Sequence, residues 1–206
     1  MDSRDTLSIS TILFDLGGVL FQLSGATTVC RWTGDNLTPQ ALMDKWLVSP
    51  AVRAFESGHI EFPDFRDRLK AELKLSVSDE EFTSVFNGWI TGLFPGAEDL
   101  LGRLSTKYTL ACFSNTNHIH WEIMGRNYGL LDRFDTLFAS FKMGMVKPDR
   151  EAFLHVIDRL AVPAGSVLFF DDNQSNVDAA LDCGLRACRV YGAEDASGAL
   201  ERFGLI

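Results

Sequence analysis

Paired cysteines, long hydrophobic runs and an excess of basic residues are all missing from this chain of 206 residues. The four cysteines form no CxxC pair and lie mostly in apolar runs, so we expect reduced thiols in a cytoplasmic protein, not disulfides or a zinc site. The formal net charge of −9 disfavours nucleic acid and anionic membranes as partners, because both attract a positive surface. No apolar run approaches the ~20 residues that span a bilayer. The start, MDSRDTLSIS, lacks the basic and apolar segments of a signal peptide.

What the chain does contain is an alternation of apolar runs and helical patterns. The strongest runs are TILFD (Thr11–Asp15), TLACFSN (Thr109–Asn115) and SVLFFDD (Ser166–Asp172). Each is too apolar to leave one face in water, which is typical of central strands in a parallel sheet covered on both sides. Two weaker runs, Phe134–Ser140 and Arg186–Tyr191, complete a sheet of about five strands.

Helical patterns separate these runs, over His118–Tyr128, Arg150–Leu160 and Ser175–Cys183. Gly184 follows the last of them, where a helix C-terminal glycine is expected. The alternation predicts an α/β fold with a doubly wound parallel sheet, which is a Rossmann-like core.

The alternation stops between residues 22 and 92. This segment contains four amphipathic patterns: TPQALMDKWLV, PAVRAFES, FPDFRDRLKAEL and SDEEFTSVFNGWI. Thr38 and Ser78 stand where helix N-caps are expected. A structureless loop of this length is unusual in a compact domain. We therefore expect a helical cap domain over residues 22–92, inserted into a core domain of residues 1–21 and 93–206. It should lie above the carboxyl edge of the sheet, where open α/β sheets bind ligands.

Polar side chains stand where the strongest runs end. They are Asp15 after the first run, Ser114 and Asn115 at the second, and Asp171 and Asp172 at the third, with Lys147 in the loop GMVKPD. If the strands are neighbours, these groups converge, and two or three carboxylates then repel one another unless a cation lies among them. Mg²⁺ suits such oxygen ligands. A lysine, a hydroxyl and backbone amides beside it form a site for a phosphoryl group.

The order of these pieces resembles the haloacid dehalogenase-like (HAD) superfamily over nearly the whole chain. Asp15 in ILFDLGGVL, Ser114 in CFSNTN, Lys147 in MVKPD and Asp172 in FFDDNQSN are similar to its four motifs. The helical insertion is similar to the cap of the family's first class.

The resemblance implies a Mg²⁺-dependent phosphatase in which Asp15 is the nucleophile and forms an aspartyl-phosphate. It implies that Ser114 and Lys147 act in catalysis and that both bind the phosphoryl group, together with the amide of Asn115. The implied metal ligands are Asp15, the Gly17 carbonyl and Asp172, with Asp171 beside them. The substrate would be a small phosphorylated metabolite, and His118 is a candidate substrate contact.

Gly17 departs from the family pattern, because most phosphatases of the superfamily carry a second aspartate at this place. The carbonyl for the metal is kept, and the acid for the leaving group is lost. FDLGGV is similar to a branch of bacterial sugar phosphatases related to enzymes that act on glucose 1-phosphate. We expect a preference for phosphates on acidic hydroxyls, with water, His118 or His120 as the proton source. Both glycines, Gly17 and Gly18, are expected to serve a sharp turn beside the metal and the phosphate.

Several roles stay open at this point. Asp171 is a metal ligand, the partner of Lys147, or the partner of a metal-bound water. Asn176 supports the metal site or caps a helix, and His118 contacts substrate or lies on the surface. Glu56 and His59 in the cap line the pocket or are solvated.

Other functions and assembly states are also open. The alternatives are a haloacid dehalogenase that needs no metal, a phosphomutase, and a catalytically weak regulatory protein. A monomer and a homodimer are equally compatible with the sequence.

Overall fold

The computed structural model describes residues 8–33 and 37–206. Residues 1–7, which form most of the segment judged to lack a signal peptide, lie outside the described part. The strands are β1 (Thr11–Phe14), β2 (Phe21–Leu23), β3 (Ile90–Leu93), β4 (Thr109–Ser114), β5 (Thr136–Ala139), β6 (Val167–Asp171) and β7 (Arg186–Arg189). The helices are α1 (Gly25–Trp32), α2 (Pro39–Val48), α3 (Pro50–Glu56), α4 (Phe62–Glu72), α5 (Asp79–Asn87), α6 (Ala97–Leu104), α7 (His118–Tyr128), α8 (Ser140–Met143), α9 (Arg150–Leu160), α10 (Gln174–Asp182) and α11 (Gly192–Arg202). None of these helices is long and apolar enough to cross a membrane.

Five parallel strands form the core sheet, in the order β5-β4-β1-β6-β7. β1 is central, with Phe14 opposite Cys112 of β4 and Phe170 of β6. From this centre the chain builds outward in both directions, so the predicted doubly wound fold is confirmed. The carboxyl ends of β1, β4 and β6 lie side by side, and the polar residues that follow them share one edge.

Alternate residues of the central strands face opposite layers of helices. Phe14 and Phe170 pack in a cluster with α6, α7 and α11. Leu13, Phe113 and Phe169 pack on the other side with α9 and α10. All five side chains are fully buried, and full burial of one such group contributes about 1.5–3 kcal/mol. Burial on both faces is why these strands are uniformly apolar.

A helical insertion separates β2 from β3, and these two strands pair antiparallel, with Phe21 opposite Leu93. The insertion contains α1 to α5 and has its own apolar cluster, which includes Val29, Leu42, Val52, Phe55, Phe65, Leu69, Phe82, Phe86 and Trp89. The two predicted N-caps are confirmed. The Thr38 hydroxyl accepts from the Ala41 amide at 3.2 Å, and the Ser78 hydroxyl accepts from the Glu81 amide at 3.1 Å.

Candidate active site

Asp15 lies at the centre of the carboxyl edge, directly after β1. Its amide donates to the Phe170 carbonyl at 2.8 Å, which extends the parallel pairing with β6 by one residue. The residue is 8% exposed, so its carboxylate is presented from a buried backbone. A side chain held in this way is positioned by the sheet and not by a mobile loop.

Lys147 is buried against Asp15, and its ammonium uses all three of its donor directions. Nζ donates to Asp15 Oδ1 at 3.0 Å, to Asp171 Oδ2 at 2.6 Å and to the Phe113 carbonyl at 2.8 Å. Burial alone lowers the pKa of an ammonium, but Asp15 and Asp171 outweigh it, so the pKa of Lys147 is raised. The side chain therefore remains cationic beside the candidate nucleophile.

The backbone of Lys147 is fixed by Asn115. The Asn115 side chain donates to the Lys147 carbonyl at 2.9 Å and accepts from its amide at 2.8 Å. Both polar atoms of the Asn115 amide side chain are thus used in placing the lysine. The predicted contact with phosphate therefore falls to the backbone amide of Asn115.

Asp171 is completely buried at the end of β6 and is surrounded by donors. Its Oδ1 accepts from the Asn173 amide at 2.8 Å, and its two oxygens accept from the Asn176 side chain at 3.0 and 3.1 Å. Together with Lys147, these contacts give Asp171 the position of an anchor for the lysine. The Asn176 side chain contacts Asp171, whereas the residue that caps the N-terminus of α10 is Asn173. The capping alternative for Asn176 was therefore wrong.

Three carboxylates form the acid cluster: Asp15, Asp171 and Asp172 have oxygens that lie within 4.8 Å of one another. Burial raises the pKa of Asp15 to about 7; Lys147 opposes this, and Asp171 and Asp172 add to it. Burial and the charge of Asp171 raise the pKa of Asp172 to about 6. One lysine against three acids leaves an excess of negative charge among oxygen donors. This donor set fits a hard divalent cation such as Mg²⁺.

The turn after Asp15 requires a glycine at Gly18 but not at Gly17. Gly18 has φ +75°, and a Cβ there would lie 2.4 Å from Asp172 Oδ2, so only glycine lets Asp172 approach. Gly17 has no positive φ, and its Cβ would meet only the Leu23 side chain, at 3.1 Å. The expectation that both glycines serve the turn was wrong for Gly17, because its backbone lies in the region open to all residues.

Ser114 and His118 lie on either side of the loop that follows β4. Ser114 is 3% exposed at the carboxyl end of that strand, next to Asp15 across the sheet. His118 begins α7, is exposed, and places its ring edge-on to Phe55 of the cap, with centroids 5.6 Å apart. Of the two predicted substrate contacts, Ser114 therefore lies at the carboxyl edge of the sheet and His118 lies where the core meets the cap.

His120 is part of the packing between core and cap. Its Nε2 lies 2.8 Å from the Phe86 carbonyl of α5, and its ring stacks on Phe86 with centroids 4.2 Å apart. Burial lowers the pKa of His120 to about 4. A neutral ring that is hydrogen-bonded to a carbonyl has no proton to give at neutral pH. Of the three candidate proton sources, water, His118 and His120, the last therefore does not fit the structure.

Helix α3 fastens the cap to the loop that carries Lys147. Arg53 forms a two-point ion pair with Asp149, and one of its bonds measures 3.2 Å. Gly58, with φ +72°, lies against the Phe141 carbonyl, where a Cβ would approach to 2.5 Å. Between these two contacts, the last residue of α3 is Glu56.

Glu56 has surroundings that no sequence pattern indicates. Burial raises its pKa to about 7, while a hydrogen bond from the Trp46 side chain and the charge of Lys147 act in the opposite direction. Its neighbour His59 is exposed, with Nδ1 2.6 Å from the Ser57 hydroxyl. Glu56 and His59 both lie in the segment AFESGHI, and the packing of α2 and α3 is what buries one more than the other. The sequence therefore contains no pattern that would have separated them.

Comparisons with known proteins agree with this geometry. A family model of haloacid dehalogenase-like hydrolases matches residues 9–184. The sesquiterpene phosphatase astK of Aspergillus oryzae is 30% identical over 84% of this chain and 85% of its own length. The D-ribitol-5-phosphate phosphatase of Bacteroides thetaiotaomicron is 26% identical over 91% and 94%.

Longer proteins and solved structures are also similar to the chain. It matches mouse acyl-CoA dehydrogenase family member 10 at 29% identity but spans only 19% of that protein. A HAD family enzyme of Bacteroides thetaiotaomicron, solved in complex with magnesium and inorganic phosphate, has a TM-score of 0.74 at 28% identity, over 93% of this chain and 99% of the other. The fold, the acid cluster and these matches lead to one conclusion: the chain belongs to the haloacid dehalogenase-like hydrolases.

Proposed function

We propose that the chain is a Mg²⁺-dependent phosphatase that hydrolyses a small phosphorylated metabolite, with sugar phosphates as the substrate class. The observation that carries this proposal is the position of Lys147, whose ammonium joins Asp15 to Asp171. A buried cation beside a carboxylate nucleophile suits a substrate that brings its own negative charge. A phosphate complex and a sugar-alcohol phosphatase among the similar proteins support the same class.

The reaction begins with the carboxylate of Asp15, which attacks phosphorus in line and gives an aspartyl-phosphate that water hydrolyses. Lys147 offsets charge on the phosphoryl oxygens, while the Ser114 hydroxyl and the Asn115 amide orient one of them. The acid cluster would hold Mg²⁺ through Asp15, Asp172 and the Gly17 carbonyl, and the ion would supply further charge compensation. Asp171 orients Lys147 and adds negative charge to the metal site.

The competing functions fit these contacts less well. A haloacid dehalogenase needs no metal. Without one, burial raises the pKa of Asp15 to about 7, with Lys147 opposing the rise and Asp171 and Asp172 adding to it, so that about half of the nucleophile would be protonated at neutral pH. A regulatory protein that had lost catalysis would have no need of a lysine held at three donor positions.

We also propose that the enzyme acts in the cytoplasm on a metabolite and not on nucleic acid. Its four cysteines are free, and burial raises the pKa of Cys112 to about 12, so that this thiol stays protonated in the core. The net charge of −9 opposes association with a polyanion.

The test is a screen of phosphorylated metabolites with and without Mg²⁺, using wild type and Asp15→Asn. The substitution keeps the shape and removes the attacking charge, so Mg²⁺-dependent turnover should disappear while the circular dichroism spectrum is retained. Asp182→Asn is the matched control, because Asp182 is exposed at the end of α10. Turnover by folded Asp15→Asn above a trace, or metal-independent activity on a chloro-acid, would contradict the proposal.

A further inference from the structure

Glu56 lies in the segment of the cap that contacts the core at Asp149 and Phe141. The helix that it ends, α3, is attached to the core through Arg53 and Asp149, two residues beyond Lys147. The turn that follows rests at Gly58 on the backbone of Phe141. A residue held between these two contacts is positioned by the docked cap.

The surroundings of the Glu56 carboxyl are unusual for a cap glutamate. The residue is half-buried, the Trp46 side chain hydrogen-bonds its carboxyl, and desolvation raises its pKa to about 7. Trp46 itself packs on Trp89, with ring centroids 4.9 Å apart, so this donor is part of the cap core. Burying an acid without a cation of its own is costly, which favours a role for that acid beyond packing.

The charged groups around Glu56 do not form a pair with it. Lys147, the core cation whose charge acts on Glu56, already donates to Asp15, Asp171 and a carbonyl. Arg53, on the same helix, is engaged with Asp149. The Glu56 carboxyl therefore lacks an ion-pair partner in these two cations, and its pKa of about 7 lets it exchange a proton near neutral pH.

The proposed reaction lacks a proton donor, and the described residues leave few candidates for one. Gly17 supplies no acid, and His120 is a neutral ring bound to a cap carbonyl. His118 is exposed at the start of α7. We propose that Glu56 is the general acid for the leaving oxygen and then the general base for the attacking water. This inference rests on the proposed phosphatase function.

The proton and bond changes balance over the two steps. As Asp15 bonds to phosphorus, the ester P–O bond breaks, and the leaving oxygen takes the proton of the Glu56 carboxyl to give the free alcohol. Water then attacks phosphorus, the P–O bond to Asp15 breaks, and Glu56 takes the proton of that water. Asp15 leaves as a carboxylate, phosphate is released, and Glu56 is again protonated.

This role changes the expected substrate preference. The absence of an acid at Gly17 predicts a steep dependence of rate on the pKa of the leaving alcohol. A proton from Glu56 predicts a shallow dependence, so that primary alkyl phosphates are good substrates. A steep dependence in the wild type would therefore overturn the assignment of Glu56.

The experiment compares Glu56→Gln with Glu61→Gln, an exposed glutamate of the same domain, on an alkyl and an aryl ester. A sugar-alcohol phosphate has a poor leaving group and p-nitrophenyl phosphate a good one. A general acid typically contributes about 10²–10⁴-fold, so Glu56→Gln should lose that much kcat/KM on the alkyl ester. Its kcat/KM on the aryl ester should change by no more than a few-fold, because p-nitrophenolate leaves without a proton.

A burst of p-nitrophenolate in the first turnover gives a second, independent readout. If Glu56→Gln also slows attack by water, the aspartyl-phosphate accumulates, and p-nitrophenolate should be released rapidly in an amount equal to the enzyme. The kcat/KM of the wild type on the alkyl ester should fall as pH rises past about 7, and this fall should be absent in Glu56→Gln. Gly17→Asp in the Glu56→Gln background should restore part of the alkyl activity.

Each remaining outcome decides the question. Equal losses of kcat/KM on both esters without a burst would assign Glu56 to binding or structure and overturn the proposal, as would wild-type activity in Glu56→Gln. Retained activity on the aryl ester shows that the variant is folded. If the wild type hydrolyses neither ester with Mg²⁺, the proposed phosphatase function fails, which is distinct from a failure at Glu56.

Discussion

Protonation of His120 should weaken the attachment of the cap at acidic pH. A carbonyl only accepts hydrogen bonds, so Nε2 carries the proton that faces the Phe86 carbonyl at 2.8 Å. The other ring nitrogen, Nδ1, lies 3.2 Å from the Asn117 side-chain nitrogen, which must donate to it. The orientation of that amide is fixed because its oxygen accepts from the His120 backbone amide at 3.0 Å. A proton added to Nδ1 would therefore face the Asn117 side-chain nitrogen, which is itself a hydrogen-bond donor.

The magnitude follows from the displaced pKa. Burial lowers the pKa of His120 from 6.5 to about 4, so between these values the unfolded chain binds more protons than the folded one. The contribution of this residue is fully present above pH 6.5 and is lost as pH falls toward 4. Proton linkage gives a loss of about 2 kcal/mol in the free energy of unfolding at pH 5 and about 3 kcal/mol at pH 4.

The assay is urea denaturation of wild type and His120→Gln between pH 7.5 and pH 4. Other titrating groups contribute to both curves, so the difference between the curves isolates His120. The variant should be less stable at pH 7.5 and should approach the wild type as pH falls. NMR of the ring nitrogens can follow the titration directly, since the chain contains four histidines. Parallel curves, or a His120 ring that titrates near 6.5, would refute the reasoning.

Further predictions concern the metal site and the lysine. Asp172→Ala removes an anionic ligand and should raise the Mg²⁺ concentration needed for half activity, while EDTA stops the wild-type reaction; unchanged metal dependence would place the ion elsewhere. Asn115→Ala frees the backbone of Lys147 and should lower kcat by about 10-fold or more with little change in KM; a pure KM effect would contradict this positioning role. Gly18→Ala should weaken Mg²⁺ binding, measured by calorimetry, more than Gly17→Ala does, because only Gly18 has a positive φ against Asp172; equal effects would disprove the difference.

Much of the core and its carboxyl edge could be predicted from the sequence. A continuous apolar run marks a strand that is buried on both faces, and parallel strands present their carboxyl ends at one edge. Asp15, Ser114 and Asp172 each follow or close such a run, so their convergence required no knowledge of side-chain contacts. The helices at His118–Tyr128 and Arg150–Leu160 were likewise predicted with their observed bounds, since their amphipathic patterns are local.

Other elements have no local signal. β2 and β3 contain three and four residues, too few for a periodic pattern, and they exist because segments about seventy residues apart pair. Helix α1 has the sequence GATTVCRW, whose glycine and β-branched residues are weak helix formers, so its helical state depends on packing within the cap.

The roles of individual polar groups were decided by the tertiary structure. Nothing in the letters FFDD separates the anchor Asp171 from its neighbour Asp172, and only the arrival of Lys147 from another loop does so. Likewise, Glu56 and His120 acquire displaced pKa values from the groups that pack around them. Which strand ends meet at the carboxyl edge follows from the sequence alone, because strand burial depends on neighbouring residues. Desolvation and charge pairing are properties of distant residues brought together, so the protonation state of each group was settled only by the fold.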